Sequence, residues 1–153
     1  MEGGKYEPKV APLMTEWSNN VDPANPHPEY PRPQLVRREW QSLNGVWELD
    51  IEGHNTQEIL VPFCVESALS GVMMRLKEDD TMVYRRQFVV NKTWADMRIL
   101  VNFEAVDHEA AVFVNGHLVG THSGGNHKMK QVQKVLKCDL QVMIHSALTS
   151  QIS

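Results

Sequence analysis

VDHEAAVFVNGHLVGTHSGG, residues 106–125, carries the clearest fold signal in the chain. Asn115-Gly116 sits in its middle, flanked by the segments 111–114 and 117–120. A type I′ turn needs positive φ at both central residues, and Asn-Gly meets that need at low steric cost. The pair predicts a two-residue β-hairpin. In that register Phe113 faces Leu118, and Val112 faces Val119. Both faces of the ribbon are then apolar, which predicts a hairpin packed inside a sandwich.

Working upstream, Met97, Ile99, Val101 and Phe103 alternate with Arg98, Leu100 and Asn102, after a turn at 94–97. Residues 82–90 alternate too, with Tyr84, Arg86 and Phe88 on one face and Val83, Arg85 and Gln87 on the other. Trp47, Leu49 and Ile51 alternate with Val46, Glu48 and Asp50. A period of two marks a strand with one buried face. Residues 52–58 read as a polar loop and 59–62 as a short strand. Residues 63–72 read as a loop or short helical turn that stops at Gly71. Several short strands separated by turns, with little helix, predict an all-β, antiparallel β-sandwich.

The two ends read differently. Pro12, Pro23, Pro26, Pro28, Pro31 and Pro33 crowd the N-terminal side. Proline removes an amide donor and holds the preceding residue extended. Residues 1–36 are therefore expected as an extended arm laid on a surface, pinned by Leu13, Trp17 and Tyr30. Beyond Gly125, Val132, Val135, Leu136, Leu140, Met143, Ile144, Ala147 and Leu148 recur at three- and four-residue steps, a helix period. Lys128, Lys130, Lys134 and Lys137 make this part basic. The expected organisation is an arm over 1–36, a sandwich over 37–125, and a divergent tail over 126–153, helical or disordered. Such a tail leaves the sandwich incomplete at its C-terminal side. A helix there could instead cover the gap and make a dimer.

Whole-chain properties narrow the function classes. The 153 residues support one domain with a real core, but not two. A net charge of −4 argues against a nucleic-acid surface. No apolar run approaches the length of a membrane span. MEGGKYEPKVAPL has no apolar core, so no signal peptide is expected and the cytoplasm is favoured. Cys64 and Cys138 are too few for a disulfide framework, lack metal spacing, and read as thiols in a reducing compartment. Asn91-Lys92-Thr93 fits the glycosylation pattern but, without a secretory signal, reads as a turn.

A resemblance adds to this reading. AVDHEAAVFVNGHLVGTHSGG, residues 105–125, resembles the segment closing the N-terminal sugar-binding domain of family-2 glycoside hydrolases, the β-galactosidase and β-glucuronidase group. Those chains place a VNG…VG.H.GG hairpin there. PLMTEWSNNVDPANPHPEYPRPQLVR, residues 12–37, is similar to the leader arm of one subgroup. The LNG-W at 43–47, the VP…ES-LSGV at 61–72 and the VYRRQF at 83–88 also look like family strings. The resemblance implies a jelly-roll, galactose-binding-like sandwich. It runs from Leu13 to Gly125. There the family continues with an aromatic, an acidic residue and proline, then F-FDIT, whereas this chain reads Asn126-His127-Lys128-Met129-Lys130.

A glycosidase needs two carboxyl groups flanking the scissile bond. The family carries its pair on a (β/α)8 barrel far downstream, and such a barrel needs about 200 residues or more. No catalytic residue is expected in this chain, and no pairing among Glu66, Glu104, Asp107 and Glu109 is readable. There is no serine elbow, phosphate loop or metal cluster, so no cofactor is expected. His117, His122 and His127 are spaced by five, which fits neither one helix face nor adjacent sheet positions.

The resemblance implies substrate contacts where family loops reach the barrel mouth: Glu66 and Ser67 in the ES loop, and Asp107 and His108 before the hairpin. An acidic residue used shortly after GG in related β-galactosidases is replaced here by Asn126-His127. The chain is thus expected to be the non-catalytic N-terminal domain of a family-2 glycoside hydrolase. The intact enzyme would hydrolyse O-glycosyl bonds, with the barrel of the same chain as partner, and this piece alone would be inert. The alternative is a free-standing sandwich that holds a carbohydrate or a protein. A dedicated sugar module would show aromatic platforms, but three of Trp17, Trp40, Trp47 and Trp94 lie in the arm or in a packing pattern.

Overall fold

The computed structural model describes residues 5–77, 80–104, 106, 109–124, 129–133 and 137–145. Eight strands follow in order: β1 (Gly45–Ile51), β2 (Gln57–Val61), β3 (Thr81–Val89), β4 (Ile99–Phe103), β5 (Glu109–Val114), β6 (His117–Ser123), β7 (Met129–Gln133) and β8 (Lys137–His145). They form two sheets, and the architecture is an all-β antiparallel sandwich. Among the described residues the only helical pieces are short 3₁₀ turns. No described helix is long and apolar enough to cross a membrane. The chain divides into two compact units, Met1–Trp47 with Gln57–Arg75, and Glu48–Thr56 with Leu76–Ser153.

In the first unit β2 neighbours β1 in strand order, and the opening of β1 belongs to this unit. Ile59 and Leu60 are consecutive and both fully buried, so β2 is covered on both faces. Trp47 is buried, and its indole Nε1 donates to the Leu43 carbonyl at 2.8 Å. A buried indole needs such a partner.

The arm is anchored differently from the expectation. Leu13 is 93% exposed and Trp17 68% exposed, so neither is a pin. Trp17 lies in a 3₁₀ turn, Glu16–Asn20, that has no buried residue. The arm is held instead by Pro26, His27 and Tyr30. Pro26 is fully buried, and its carbonyl accepts from Asn44 Nδ2 at 3.3 Å. His27 leans on Phe63 with ring centroids 5.7 Å apart. Tyr30 does act as an anchor, meeting Trp40 edge-on at 5.0 Å.

In the second unit the strands run β1-β3-β8-β5-β6, with β4 and β7 paired as a second sheet. The register builds apolar rows across one face. Leu49 lies opposite Tyr84, Tyr84 opposite Val142, and Val142 opposite Val112. Ile51, Met82, Ile144 and Ala110 make the next row. Leu49, Ile51, Val112 and Leu140 are completely buried. Arg86 lies on this face opposite Leu140, and burial pulls its guanidinium below its ordinary range. The other face of β1 and β3 carries Glu48, Asp50 and Arg85. Arg85 holds Glu48 at 3.0 Å and Asp50 at 3.5 Å. Those groups are partly exposed, so the pairs contribute only about 0–1 kcal/mol.

The tail is not a helix over the described residues. Met129–Gln133 and Lys137–His145 are strands, and β8 pairs along its length with β3 on one side and β5 on the other. The gap expected at the C-terminal side is therefore filled. Taken as one segment the apolar set has a helix period, but Val132 belongs to β7 and Leu140, Met143 and Ile144 to β8, while Val135, Leu136, Ala147 and Leu148 lie outside the described residues. Within β8 the true period is two: Leu140 and Val142 are buried, Asp139 and Met143 exposed. Met143 disguises the alternation, being apolar on the outer face.

The hairpin turn is as expected, with φ of 51° at Asn115 and 77° at Gly116. Phe113 does face Leu118. Val112, however, faces Gly120 rather than Val119, because a bulge inserts one extra β6 residue there. The ribbon is not packed on both sides either. β5 is internal, but β6 is the sheet edge, and Leu118 is 57% exposed. Asn91 accepts from the Thr93 amide at 3.0 Å and opens a 3₁₀ turn, in line with the turn reading.

Candidate functional site

The loop between β2 and β3 carries two of the four candidate contacts. It is built from successive tight turns. Phe63 N donates to Leu60 O at 3.1 Å, and Ser67 N to Cys64 O at 2.9 Å. Ser67 then caps a 3₁₀ turn over Ala68–Ser70, accepting from Ser70 N at 3.2 Å. Serine suits this place because its side-chain oxygen takes up an otherwise orphaned amide. Gly71 stops the turn with φ of 82°, as the sequence indicated.

Ser70 is the hub of the loop. It is completely buried, and its Oγ lies 2.7 Å from Ser67 O and 3.1 Å from Val65 O, donating its one proton to either. The same oxygen accepts from Val72 N at 3.0 Å. Met74 N closes the base of the loop on Val65 O at 3.2 Å. With Val65, Ala68 and Val72 buried beneath it, the loop has a defined shape rather than a solvated one.

This frame separates the two candidates. Glu66 is exposed and, among the described residues, has no hydrogen-bond or ion-pair partner. Its carboxylate is an acceptor-only group able to take two hydroxyl hydrogens. The Ser67 hydroxyl is committed, since it also donates to Cys64 O at 2.8 Å. It retains one acceptor lone pair for anything outside the loop. Asp107 and His108 lie outside the described residues, as do Asn126 and His127. His117 is exposed, and His122 Nε2 lies 2.8 Å from Gly124 O. Among the described residues no group of three His, Cys, Asp or Glu could hold a metal ion.

Ser70 and Tyr6 were not singled out from the sequence. The Ser67-x-x-Ser70-Gly71 spacing was a readable sign of a capped turn. Tyr6 stands alone before the prolines and carried no periodic signal.

Three comparisons bear on this geometry. Residues 65–144, just over half of the chain, match the family described as glycosyl hydrolases family 2, sugar binding domain. The match includes the Glu66–Ser67 loop and continues past Gly125 through nearly all of β8. A β-glucuronidase of Streptococcus agalactiae is 28% identical over 94 residues, covering 58% of this chain and 16% of the relative. A β-galactosidase of Thermoanaerobacter pseudethanolicus is 28% identical over 88 residues, covering 56% of this chain and 11% of the relative. The structure of a β-D-glucuronidase from Dictyoglomus thermophilum superposes with a TM-score of 0.58 at 24% identity. That superposition covers 72% of this chain and 20% of the other. The chain thus spans less than a fifth of the length of the curated relatives it matches.

Proposed function

The chain belongs to the sugar-binding domain of glycosyl hydrolase family 2, and on that premise we propose that it is a non-catalytic carbohydrate-contacting piece of such an enzyme. The family match over residues 65–144 carries this reading, because it contains the loop that leaves Glu66 exposed and unpaired. Glu66 is the leading contact, accepting hydroxyl hydrogens from a glycoside. Ser67 shapes the loop and adds one acceptor. Asp107 and His108, which lie outside the described residues, are proposed as further contacts from the segment before β5. In the intact enzyme the partner would be the catalytic barrel of the same chain, with the cytoplasm as its compartment. Hydrolysis needs a flanking pair of carboxyl groups that this chain is not proposed to hold.

The test is a titration of the purified chain with methyl β-D-galactopyranoside and, separately, 4-nitrophenyl β-D-glucuronide, followed by amide chemical shifts. Shifts centred on residues 64–70, weakened at least several-fold in Glu66→Gln, are expected. Absence of shifts in that loop with both glycosides removes Glu66 as a contact. Release of nitrophenol by the pure chain would overturn the non-catalytic assignment.

A further inference from the structure

We propose that Tyr6 is a positioning residue. The strap formed by Tyr6 to Lys9 clamps the loop between β2 and β3, so that Glu66 and Ser67 are presented in one conformation. The clamp is a statement about the chain itself; its link to sugar rests on the reading above.

The strap makes three separate bonds within the first unit. Tyr6 N donates to Glu58 Oε2 at 2.6 Å, which ties it to β2. Tyr6 Oη donates to Leu69 O at 3.0 Å, and Lys9 N donates to Ala68 O at 2.9 Å. The last two acceptors are carbonyls of the 3₁₀ turn that Ser67 caps. Ser67 is joined to the same turn through its cap bond to Ser70 N, so holding these carbonyls also restrains the chain at residues 66 and 67 that leads into the turn. A three-residue 3₁₀ turn is weak by itself, since few bonds hold many fixed dihedrals.

Steric fit adds a fourth constraint. A Cβ at Gly71 would lie 2.7 Å from Tyr6 Cδ2 and 2.9 Å from both Tyr6 Cε2 and Glu7 O. The tyrosine ring therefore sits directly against the glycine backbone that ends the turn. Gly71 serves twice: its φ of 82° stops the turn, and its missing side chain admits the strap. Burial raises the Tyr6 hydroxyl above its ordinary range, in keeping with a half-buried ring laid against the loop. On the inner side the Ser70 hub ties Val65, Ser67 and Val72 together. The loop is thus gripped from the core by Ser70 and from outside by Tyr6. Releasing Tyr6 leaves Leu69 O without its donor and opens the flank of Gly71.

Amide hydrogen exchange on the full chain tests the clamp without any ligand. Tyr6→Ala should speed exchange at the Ser67, Ser70 and Gly71 amides about tenfold or more, while β3, β5 and β8 keep their wild-type rates. Tyr6→Phe keeps the ring and loses only the hydroxyl bond, so its effect should be intermediate. Gly71→Ala should reproduce the Tyr6→Ala pattern by expelling the ring. Unchanged loop exchange in Tyr6→Ala overturns the proposal, and so does a uniform acceleration that includes β8. The glycoside titration is then repeated on Tyr6→Phe. If the wild-type loop shifts with sugar, the clamp requires a weaker response in the variant, and an identical response refutes positioning. If wild type shows no response, the sugar reading fails while the exchange result still decides the clamp.

Discussion

Asn115 and Asp139 exchange two hydrogen bonds: Asn115 N donates to Asp139 O at 2.9 Å, and Asp139 N donates to Asn115 Oδ1 at 2.8 Å. The pair continues the β5–β8 ladder one step beyond Val114 and Leu140. At Asn115 the chain has already entered the turn with φ of 51°, so a side-chain oxygen replaces the backbone carbonyl. Asparagine meets both demands, since it tolerates positive φ and carries an amide oxygen. Asn115→Gly should keep the turn but lose one bond, costing about 0.5–1.5 kcal/mol. Asn115→Val should cost more, adding roughly 1–3 kcal/mol of backbone strain. Urea midpoints ranking wild type, glycine and valine in that order are expected.

β8 should behave as a core strand. Leu140 is completely buried, and Leu140→Ala should cost about 2–5 kcal/mol. Met143, three residues on and 38% exposed, should cost under about 1 kcal/mol as alanine. Equal, small effects at both positions in denaturant melts would contradict a strand held between β3 and β5.

The loop hub gives a third expectation. Ser70→Ala keeps nearly the same volume but strips Val72 N of its buried acceptor, so a loss of about 1–3 kcal/mol is expected. Ser67→Ala should lose about 1 kcal/mol through the cap, and Ser67→Asp should recover most of it. Glu66→Gln, in contrast, should leave the melting temperature unchanged, because the carboxylate has no partner to lose among the described residues.

Alkaline pH should report on Tyr6. Burial raises its folded-state pKa above the ordinary value near 10. As pH rises, the unfolded chain releases this proton first and the unfolded state gains. The contribution to stability is therefore full below about pH 10 and is lost as pH climbs through the folded value. Tyr6→Phe cannot ionise, so its urea midpoint should decline less steeply than wild type over that range.

The alternation of Trp47, Leu49 and Ile51 could be read directly, because β1 buries one face and exposes charges on the other. The Asn115-Gly116 turn was equally plain, since few residue pairs accept its backbone. β8 was hidden by a single side chain: Met143 is apolar on the outer face and completes a false helical spacing with Leu140 and Ile144. The bulge opposite Val112 left no mark, as one extra residue in an edge strand changes neither composition nor period. At the loop, Glu66 and Ser67 could be found only by resemblance, and nothing local distinguished the committed hydroxyl from the unpaired carboxylate. The Tyr6 strap could not be read at all, because the Tyr6 hydroxyl depends on the Leu69 carbonyl, 63 residues away.

β8 lies at the middle of its sheet yet is the last of the described strands to be synthesised. On a translating ribosome β3 and β5 emerge with nothing between them, and the β5–β6 hairpin forms early from neighbouring residues. Closure must wait until residue 145 has cleared the exit tunnel. The β3–β8 ladder joins residues as distant as Thr81 and His145, and such remote pairing makes folding slow. Until then two open strand edges are available to other chains, so a nascent chain stalled before residue 137 would be the species most prone to aggregate.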